Sequence, residues 1–357
     1  MSTLATRRIP DATAPAEVVR RARALPVRRA RRLVGSLTVV LVLAVAARVL
    51  LGDFTITIPD FFRILGGAEI PGASYILMES KLPRAVLGVL VGAALGLGGA
   101  IFQTTLRNPL ASPDVVGISM GASAAAALAI ITFGLDGPAV AACAIAGAAV
   151  VSLVVRLVAG RDPAGLYAGG QRLVLVGIGM AAALQALVQY LFTRADVYDA
   201  HLVLRWLTGS LHDADWATIR IVGLALLVLL PVVLWQGRSL PATELGPDTA
   251  TGLGVGPRRE DVLLLVGVLL VAVAVAAAGP VAFVSFLAGP IARALNAGRT
   301  SLAGAALTGA VIVVGADYAA DYLLVDINFP VGVVTGALGA PFLLWLLASG
   351  RASRRQF

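Results

Sequence analysis

The chain has 357 residues, of which 59% are hydrophobic and 13% are charged, and its formal net charge is +8. Because soluble domains carry about 25% charged residues, this chain cannot cover itself with polar surface. The composition therefore indicates an integral membrane protein without a separate soluble domain. The arginines lie in the N-terminal tail and in loops, so membrane topology explains the positive charge and we expect no nucleic-acid partner.

The few cysteines, histidines and lysines exclude several chemistries. Cys143 is the only cysteine, so no intrachain disulfide can form. His201 and His212 are the only histidines, which argues against a metal or haem site. A nucleotide-binding P-loop needs a lysine followed by Ser or Thr, but Lys81, the only lysine, precedes Leu82. We therefore expect no cofactor, and any ATP hydrolysis belongs to another polypeptide.

Residues 1–32 form a basic tail, with nine arginines against Asp11 and Glu17. We expect this tail to be disordered and cytosolic, close to anionic lipid. A cleaved signal peptide is the competing interpretation, but the basic region is too long and the apolar run continues into further spans. The transmembrane domain is expected over residues 33–350.

Apolar runs predict about ten transmembrane helices, since backbone groups inside lipid must be hydrogen-bonded within the segment. The runs cover residues 33–51, 84–106, 114–133, 137–159, 172–193, 217–236, 261–278, 280–296, 301–323 and 329–348. Arginines follow the even-numbered spans and the last one, which places both termini in the cytosol. We therefore predict an all-α polytopic protein of the bacterial plasma membrane, with its longest outer loop at 194–216.

Small residues recur every four positions on one face of two predicted spans. They are Gly88, Gly92, Gly96 and Ala100 in the second span, and Gly332, Gly336 and Ala340 in the last. Such faces let a neighbouring helix approach closely. By themselves they indicate tight bundle packing and name no function.

Residues 107–113, RNPLASP, interrupt the chain between two apolar runs. Pro109 lacks an N–H, and Pro113 biases Ser112 away from helix. Asn108 and Ser112 can bond to backbone groups freed at a helix end. The stretch therefore predicts a well-capped turn.

Together with its flanks, this turn resembles the signature of the FecCD family of iron–siderophore and vitamin B12 permeases, the membrane subunits of ABC importers. The matching elements are Leu82-Pro83-Arg84, Gly92-Ala93-Ala94, Gln103, Arg107-Asn108-Pro109-Leu110-Ala111, Pro113, Gly117-Ile118-Ser119 and Gly121-Ala122. The resemblance extends from about residue 50 to 348 through Trp206, Gly209, Ser210, Trp216, 279–295 and 330–347. It implies the fold of a type II ABC importer permease.

The polar segment 238–260 resembles the family's coupling segment, which docks on the ATPase subunit. The residues that the resemblance implies in coupling are Leu240, Glu244, Leu245, Gly246, Asp248, Thr249, Ala250, Leu253 and Gly254. From the residues alone, Leu240, Leu245 and Leu253 would form an apolar side, while the polar residues face water or a partner. Pro247 stands where the family usually has Glu, and a proline can be the first residue of a helix.

Polar residues in the fifth span suggest a pathway. Gln185 and Gln189 lie four apart on one helical face, where they either bond to other helices or line a channel. The resemblance implies that the fifth and tenth helices line the channel. It also implies a cytosolic gate at the turn into the fifth helix, here Gly169, Gly170 and Gln171.

Asp317 and Asp321 are also four apart, near the outer end of the ninth span. Asp317 matches an Asp of the family, whereas Asp321 falls where many members have Arg. Two carboxylates on one face predict either a cation contact or solvated positions at a helix end. We favour the solvated positions.

These features predict the permease subunit of an ATP-driven importer that carries iron–siderophore complexes. The expected partners are ATPase subunits, a second permease subunit and an extracytoplasmic substrate-binding protein, with membrane lipid around them. The same architecture importing vitamin B12 or haem is one alternative, because the resemblance does not separate these cargoes. An ion-coupled secondary transporter is another, but it would place acids centrally in the spans, and the acids here cluster at ends and in loops. A homodimer and a heterodimer of permease subunits both remain open.

Overall fold

The computed structural model describes residues 15–114, 116–160, 170–323 and 328–348, and this part of the chain is helical without a β-strand. The helices are α1 (Pro15–Leu50), α2 (Ile58–Leu65), α3 (Ala73–Tyr75), α4 (Leu82–Thr105), α5 (Ile118–Phe133), α6 (Gly137–Ala159), α7 (Gly170–Phe192), α8 (Val197–Thr208), α9 (Trp216–Gln236), α10 (Leu240–Thr243), α11 (Pro247–Gly252), α12 (Pro257–Ala278), α13 (Val284–Leu295), α14 (Leu302–Tyr322) and α15 (Val331–Ala348). A π-helical turn, Ile76–Lys81, joins α3 to α4, and a 3-10 turn, Gly237–Ser239, joins α9 to α10.

Ten helices account for the predicted spans. Within the described ranges, seven helical segments are long and apolar enough to cross a membrane, in α1, α3–α4, α6, α7, α9–α10, α12 and α14. Three shorter apolar helices, α5, α13 and α15, complete the set. α13 is short because residues 279–283 ahead of it are not helical, and Phe283 adopts a left-handed φ of 64°. The all-helical class and the approximate number of spans are confirmed.

α1 begins at Pro15, well ahead of the apolar run that starts at residue 33. This corrects the expectation of a disordered tail for residues 15–32; residues 1–14 lie outside the described ranges. Arg and Ala, which dominate this stretch, are strong helix formers. The stretch also continues directly into a span that packs on α14, so the first turns need no separate nucleation.

α4 is the central helix, and it packs against α9, α12, α13 and α14. Its small-residue face is what permits the contact with α14. A Cβ added to Gly92 would lie 2.5 Å from the carbonyl oxygen of Gly309, and one added to Gly96 would lie 2.2 Å from that of Ala305. Because these distances are far below van der Waals contact, the backbones of α4 and α14 touch directly.

α7 and α15 lie at the edge of the bundle. α7 packs on α5 and α6, and only 17% of its span is buried inside the chain. α15 packs on α14 and touches the end of α8, where a Cβ on Gly332 would lie 2.1 Å from the carbonyl oxygen of Thr208. Both helices therefore present much of their surface to whatever surrounds the subunit.

The connections between helices gather at two ends of the bundle. At one end, the Arg107 guanidinium lies beside Gly246, and the Thr300 hydroxyl donates a hydrogen bond to Glu244. The connections after α4, α9 and α13 thus meet, and we call this the basic end, after Arg107 and the arginines of 238–260 and 293–299. At the opposite end, the loop before α9 packs against the π-helical turn that precedes α4.

Candidate functional site

The turn after α4 is closed and capped as the sequence predicts. Arg107 adopts a left-handed φ of 50°, and the N–H of Asn108 donates to the carbonyl of Gln103 at 3.1 Å, which ends the helix. The side chain of Asn108 accepts a hydrogen bond from the N–H of Leu110 at 2.9 Å, forming an Asx turn. Gly117, with φ of 83°, then leads into α5. The turn is therefore a defined connection and not a loose loop.

Buried polar side chains tie this turn to α13. Asp114 accepts hydrogen bonds from the hydroxyls of Ser119 and Ser285, the second at 2.6 Å. Gln103 is buried in α4 and donates to the carbonyl of Phe286 at 2.9 Å. Since Ser285 and Phe286 belong to the first turn of α13, a displacement of the turn would carry α13 with it.

Segment 238–260 folds into two short helices, α10 and α11, before α12 begins. Gly246 turns the chain with φ of 99°, and Pro247 is the first residue of α11, as a proline at that position can be. Leu240 and Ala250 are buried against the bundle. Leu240 therefore does not belong to the exposed apolar side that the sequence suggested, because α10 continues from α9 and packs on α4.

The outward side of this segment forms an exposed surface at the basic end. Leu245 and Leu253 are each 62% exposed. Glu244, Asp248 and Thr249 are exposed around them, and we call these five residues the coupling surface. Exposed leucines rimmed by polar side chains are typical of a surface that receives a protein partner. The other two residues that the resemblance implied, Gly246 and Gly254, shape the backbone here with positive φ angles.

The amide side chains of α7 point away from the bundle. Gln185 and Gln189 are both exposed, and neither is hydrogen-bonded within the described ranges. Polar side chains are costly in lipid, so this face indicates contact with water or with another chain. Of the three gate residues, Gly169 lies outside the described ranges, and α7 begins with Gly170 and Gln171.

The opposite end holds a buried ion-pair cluster that no sequence motif revealed. Arg48 Nε lies 2.5 Å from Asp317 Oδ2, and Arg48 Nη2 lies 2.9 Å from Asp321 Oδ2. Arg84 contacts the same two carboxylates at 3.3 and 2.9 Å. Two guanidiniums thus balance two carboxylates and join α1, α4 and α14. The interpretation of Asp317 and Asp321 as solvated positions is wrong, because α1 and α4 cover them with arginines.

His212 connects this cluster to the loop between α8 and α9. Its Nδ1 lies 3.2 Å from Nη2 of Arg84, and its Nε2 lies 3.7 Å from the carboxylate of Asp321. Burial and, next, the positive charge of Arg84 lower the pKa of His212, because both disfavour the imidazolium. The neutral histidine is thus the form that this loop accommodates.

The Trp–Gly–Ser–Trp pattern runs from α8 through this loop to the first residue of α9, and three of its members hold the loop in place. Trp216 donates its indole N–H to the carbonyl of Met78 at 2.8 Å. The N–H of Ser210 donates to the carbonyl of Ala278 at 2.7 Å. Gly209 has φ of 69°, and a Cβ there would lie 2.5 Å from a carbonyl oxygen of the 279–283 stretch. These contacts fix the α8–α9 loop onto the π-helical turn before α4 and onto the end of α12.

This arrangement, a helical membrane bundle with an exposed polar segment at its basic end, matches the ABC transporter permeases in the comparisons that follow. The family model described as the FecCD transport family matches residues 39–349, and the chain belongs to this family. The ferric enterobactin transport system permease protein FepG of Escherichia coli is 38% identical over 298 residues, which cover 83% of this chain and 89% of FepG. The achromobactin transport system permease protein CbrC of Dickeya dadantii is 38% identical over 324 residues, covering 88% and 91%.

Further comparisons agree on the fold. The vitamin B12 import system permease protein BtuC of Citrobacter koseri is 32% identical, covering 91% of this chain and 96% of BtuC. A solved structure, an inward-facing conformation of a metal-chelate type ABC transporter, superposes with a TM-score of 0.76 at 25% identity. It covers 89% of this chain and 99% of that chain. The fold expected from the resemblance is therefore confirmed.

Proposed function

We propose that this chain is the permease subunit of an ATP-driven importer of iron–siderophore complexes. The coupling surface carries the proposal, because it exposes two leucines and three polar side chains in the segment that resembles the family's ATPase-docking segment. The cargo is inferred from relatives named for ferric enterobactin, achromobactin and Fe(3+)-citrate. No resident cofactor is needed, since ATP would be bound by the separate ATPase subunits.

Contacts around the coupling surface supply a route for the motion. Gly246, within the coupling segment, lies beside the guanidinium of Arg107. Asp114 and Gln103 then connect the turn to α13 through their hydrogen bonds. Closure of an ATPase dimer against the coupling surface would therefore move α5 and α13 as one unit. Rocking of packed helices is a common way to open a pathway alternately to each side.

A second permease subunit would complete the pathway. α4 is packed too tightly to leave a channel through the bundle, whereas α7 and α15 expose long faces. In our proposal these two helices meet their counterparts in the partner permease, and Gln185 and Gln189 line the space between them. The chain at Gly169, Gly170 and Gln171 would form the gate at the basic end.

The basic end faces the cytosol in this proposal, in accordance with the positive-inside rule. Both termini and the ATPase subunits then lie in the cytosol, and the opposite end receives an extracytoplasmic substrate-binding protein. The membrane is the bacterial plasma membrane, which the chain crosses about ten times. Nucleic acid has no role in this assembly.

Vitamin B12 and haem are the alternative cargoes for the same architecture. The similarity to BtuC, at 32% identity over most of both chains, favours vitamin B12 as the first of these to test. The ion-coupled secondary transporter has less support. Its best candidate carriers, Asp317 and Asp321, are already neutralised by Arg48 and Arg84 and are therefore poorly suited to exchange a proton or cation.

The coupling role can be tested with a double variant, Leu245→Asp with Leu253→Asp. Uptake of iron-loaded siderophore, measured in cells that lack other importers, should fall at least tenfold while the amount of protein in the membrane is unchanged. Leu245→Met with Leu253→Met is the matched control, since it changes the same two exposed positions but keeps their side chains apolar, and uptake should be unchanged. Normal uptake by Leu245→Asp with Leu253→Asp would show that the coupling surface does not dock an ATPase.

A further inference from the structure

A cavity of about 660 Å³ lies between α6, α9 and α12 at the end opposite the basic end. This volume is within the range of about 300–1,000 Å³ that ligand sites in proteins occupy. The cavity is separate from α7 and α15, the helices assigned above to the pathway. It is also separate from the ion-pair cluster, none of whose four charged residues lines it.

The body of the cavity is an apolar cleft in the membrane-spanning part of the bundle. α6 and α9 both pack on α12, which forms the floor between them. Small and branched apolar side chains line the cleft, namely Val140, Ile145, Ile221, Ala225, Val273 and Ala276. The spans of α6 and α9 are only 28% and 17% buried inside the chain. The cleft therefore lies between helices whose outer faces are open to hydrocarbon, where an acyl chain can enter.

The mouth of the cavity is charged, and the charges have both signs. Arg205 and Asp213 form an exposed ion pair with an N–O distance of 2.7 Å. Asp215 is the N-cap of α9, and hydrogen bonding by Thr218, through its side chain and then through its backbone N–H at 2.7 Å, holds the pKa of Asp215 below the ordinary value. Asp136 is the N-cap of α6, and its carboxylate accepts no hydrogen bond from the described ranges. Three carboxylates therefore face one guanidinium at the rim.

We propose that this cavity binds a phospholipid whose headgroup carries both a phosphate and a primary ammonium. One acyl chain would lie along α12 between α6 and α9. The phosphate would pair with Arg205, and the ammonium would donate to the carboxylates of Asp136 and Asp213. The excess of carboxylates disfavours an anionic lipid, and a primary ammonium offers the three N–H donors that a choline headgroup lacks.

The site would connect lipid to the loop between α8 and α9, where the carbonyl of Gly209 accepts a hydrogen bond from the N–H of Gly332 in α15 at 3.2 Å. Arg205 and Ser210, which border the cavity, belong to α8 and the α8–α9 loop, and the N–H of Ser210 is bonded to the end of α12. A lipid seated here would brace α8 against α6 and α12. The inference depends on the membrane-spanning fold alone, so its outcome is independent of which cargo the protein carries.

Native mass spectrometry of the full-length protein tests the proposal. The protein would be stripped of lipid in detergent and offered equal amounts of phosphatidylethanolamine, phosphatidylcholine and phosphatidylglycerol. We expect phosphatidylethanolamine to be retained at least fivefold more than either competitor. Equal retention of the three lipids, or a preference for phosphatidylglycerol, would overturn the proposal.

A variant in the cleft, a control on the same helix and a variant at the mouth distinguish lipid bound in this cavity from lipid that adheres generally to the protein surface. Ala225→Phe fills the cleft and should lower retention of phosphatidylethanolamine at least fivefold, whereas Leu227→Phe, on the exposed side of the same helix that faces away from the cleft, should not. Asp136→Asn should leave binding measurable but reduce the preference for phosphatidylethanolamine. The same retention in Ala225→Phe as in Leu227→Phe would place the bound lipid elsewhere. Cross-linking of a second copy of the chain over the cleft would show that the cavity has a protein occupant instead.

Discussion

Removing the carboxylate of Asp317 should destabilise the protein strongly. Its side chain is only 3% exposed and contacts both Arg48 and Arg84, so Asp317→Asn leaves two guanidiniums with a single carboxylate, Asp321. Breaking a buried ion pair from one side costs about 3–5 kcal/mol, because the remaining charge is left uncompensated. We expect the free energy of unfolding, measured by denaturant titration in detergent micelles, to fall by about this amount.

The matched control is Asp213→Asn. Asp213 pairs with Arg205 at 2.7 Å, but both side chains are exposed, so the loss should be at most about 1 kcal/mol. A second variant, Arg48→Met with Asp317→Leu, removes one pair completely and leaves the other pair of the cluster. It should therefore be more stable than Asp317→Asn alone. If Asp317→Asn proved as stable as Asp213→Asn, the reasoning from burial would be refuted.

Three further outcomes are expected. Gly99→Ala should abolish the monodisperse peak in size-exclusion chromatography, because its Cβ would lie 1.7 Å from a backbone carbonyl oxygen. Gly223→Ala is the control and should be tolerated, since its Cβ would meet nothing within 4 Å. A normal peak for Gly99→Ala would contradict this packing. Because the fold lowers the pKa of His212, the unfolded state binds more protons, so stability should fall as the pH drops below about 6.5, and His212→Gln should flatten that decline. If stability declined as steeply in His212→Gln as in the unaltered protein, groups other than His212 would be responsible for the decline. Single cysteines at Gln185 and Gln189, in a background without the native cysteine, should react with a membrane-impermeant thiol reagent, and an inert pair would argue for lipid contact.

The helices could be predicted because a long apolar run in lipid must satisfy its own backbone hydrogen bonds. The close approach of another helix to α4 could be predicted as well, since the small residues Gly92 and Gly96 recur on one face, but the identity of that helix as α14 could not. The helical structure of the basic tail could not be predicted, because hydropathy reports only the part of α1 that lies in the membrane. Residues 15–32 are helical through the propensity of their Arg and Ala residues and their continuity with the span.

The candidate site shows the same division. The coupling segment was located by resemblance, but the burial of Leu240 depends on how α10 leaves α9, which no local pattern encodes. Arg48 and Asp317 are separated by 269 positions, so spacing could not pair them. The usable signal was an arginine inside an apolar run, because a charge in the membrane needs a partner. The second part of the signal was the pair Asp317 and Asp321 on another span, because these carboxylates also needed partners of opposite charge.

Uptake of labelled iron–siderophore and labelled cobalamin, measured side by side in cells with and without this chain, tests the proposed function most directly. Other importers of both compounds would be removed first, and the variant Leu245→Asp with Leu253→Asp would serve as the uncoupled form. We expect iron uptake alone to depend on the chain and to be lost in the uncoupled variant. If only cobalamin uptake depended on the chain, vitamin B12 would replace iron–siderophore as the cargo. No change in either uptake would contradict the assignment of this protein as an importer of iron chelates.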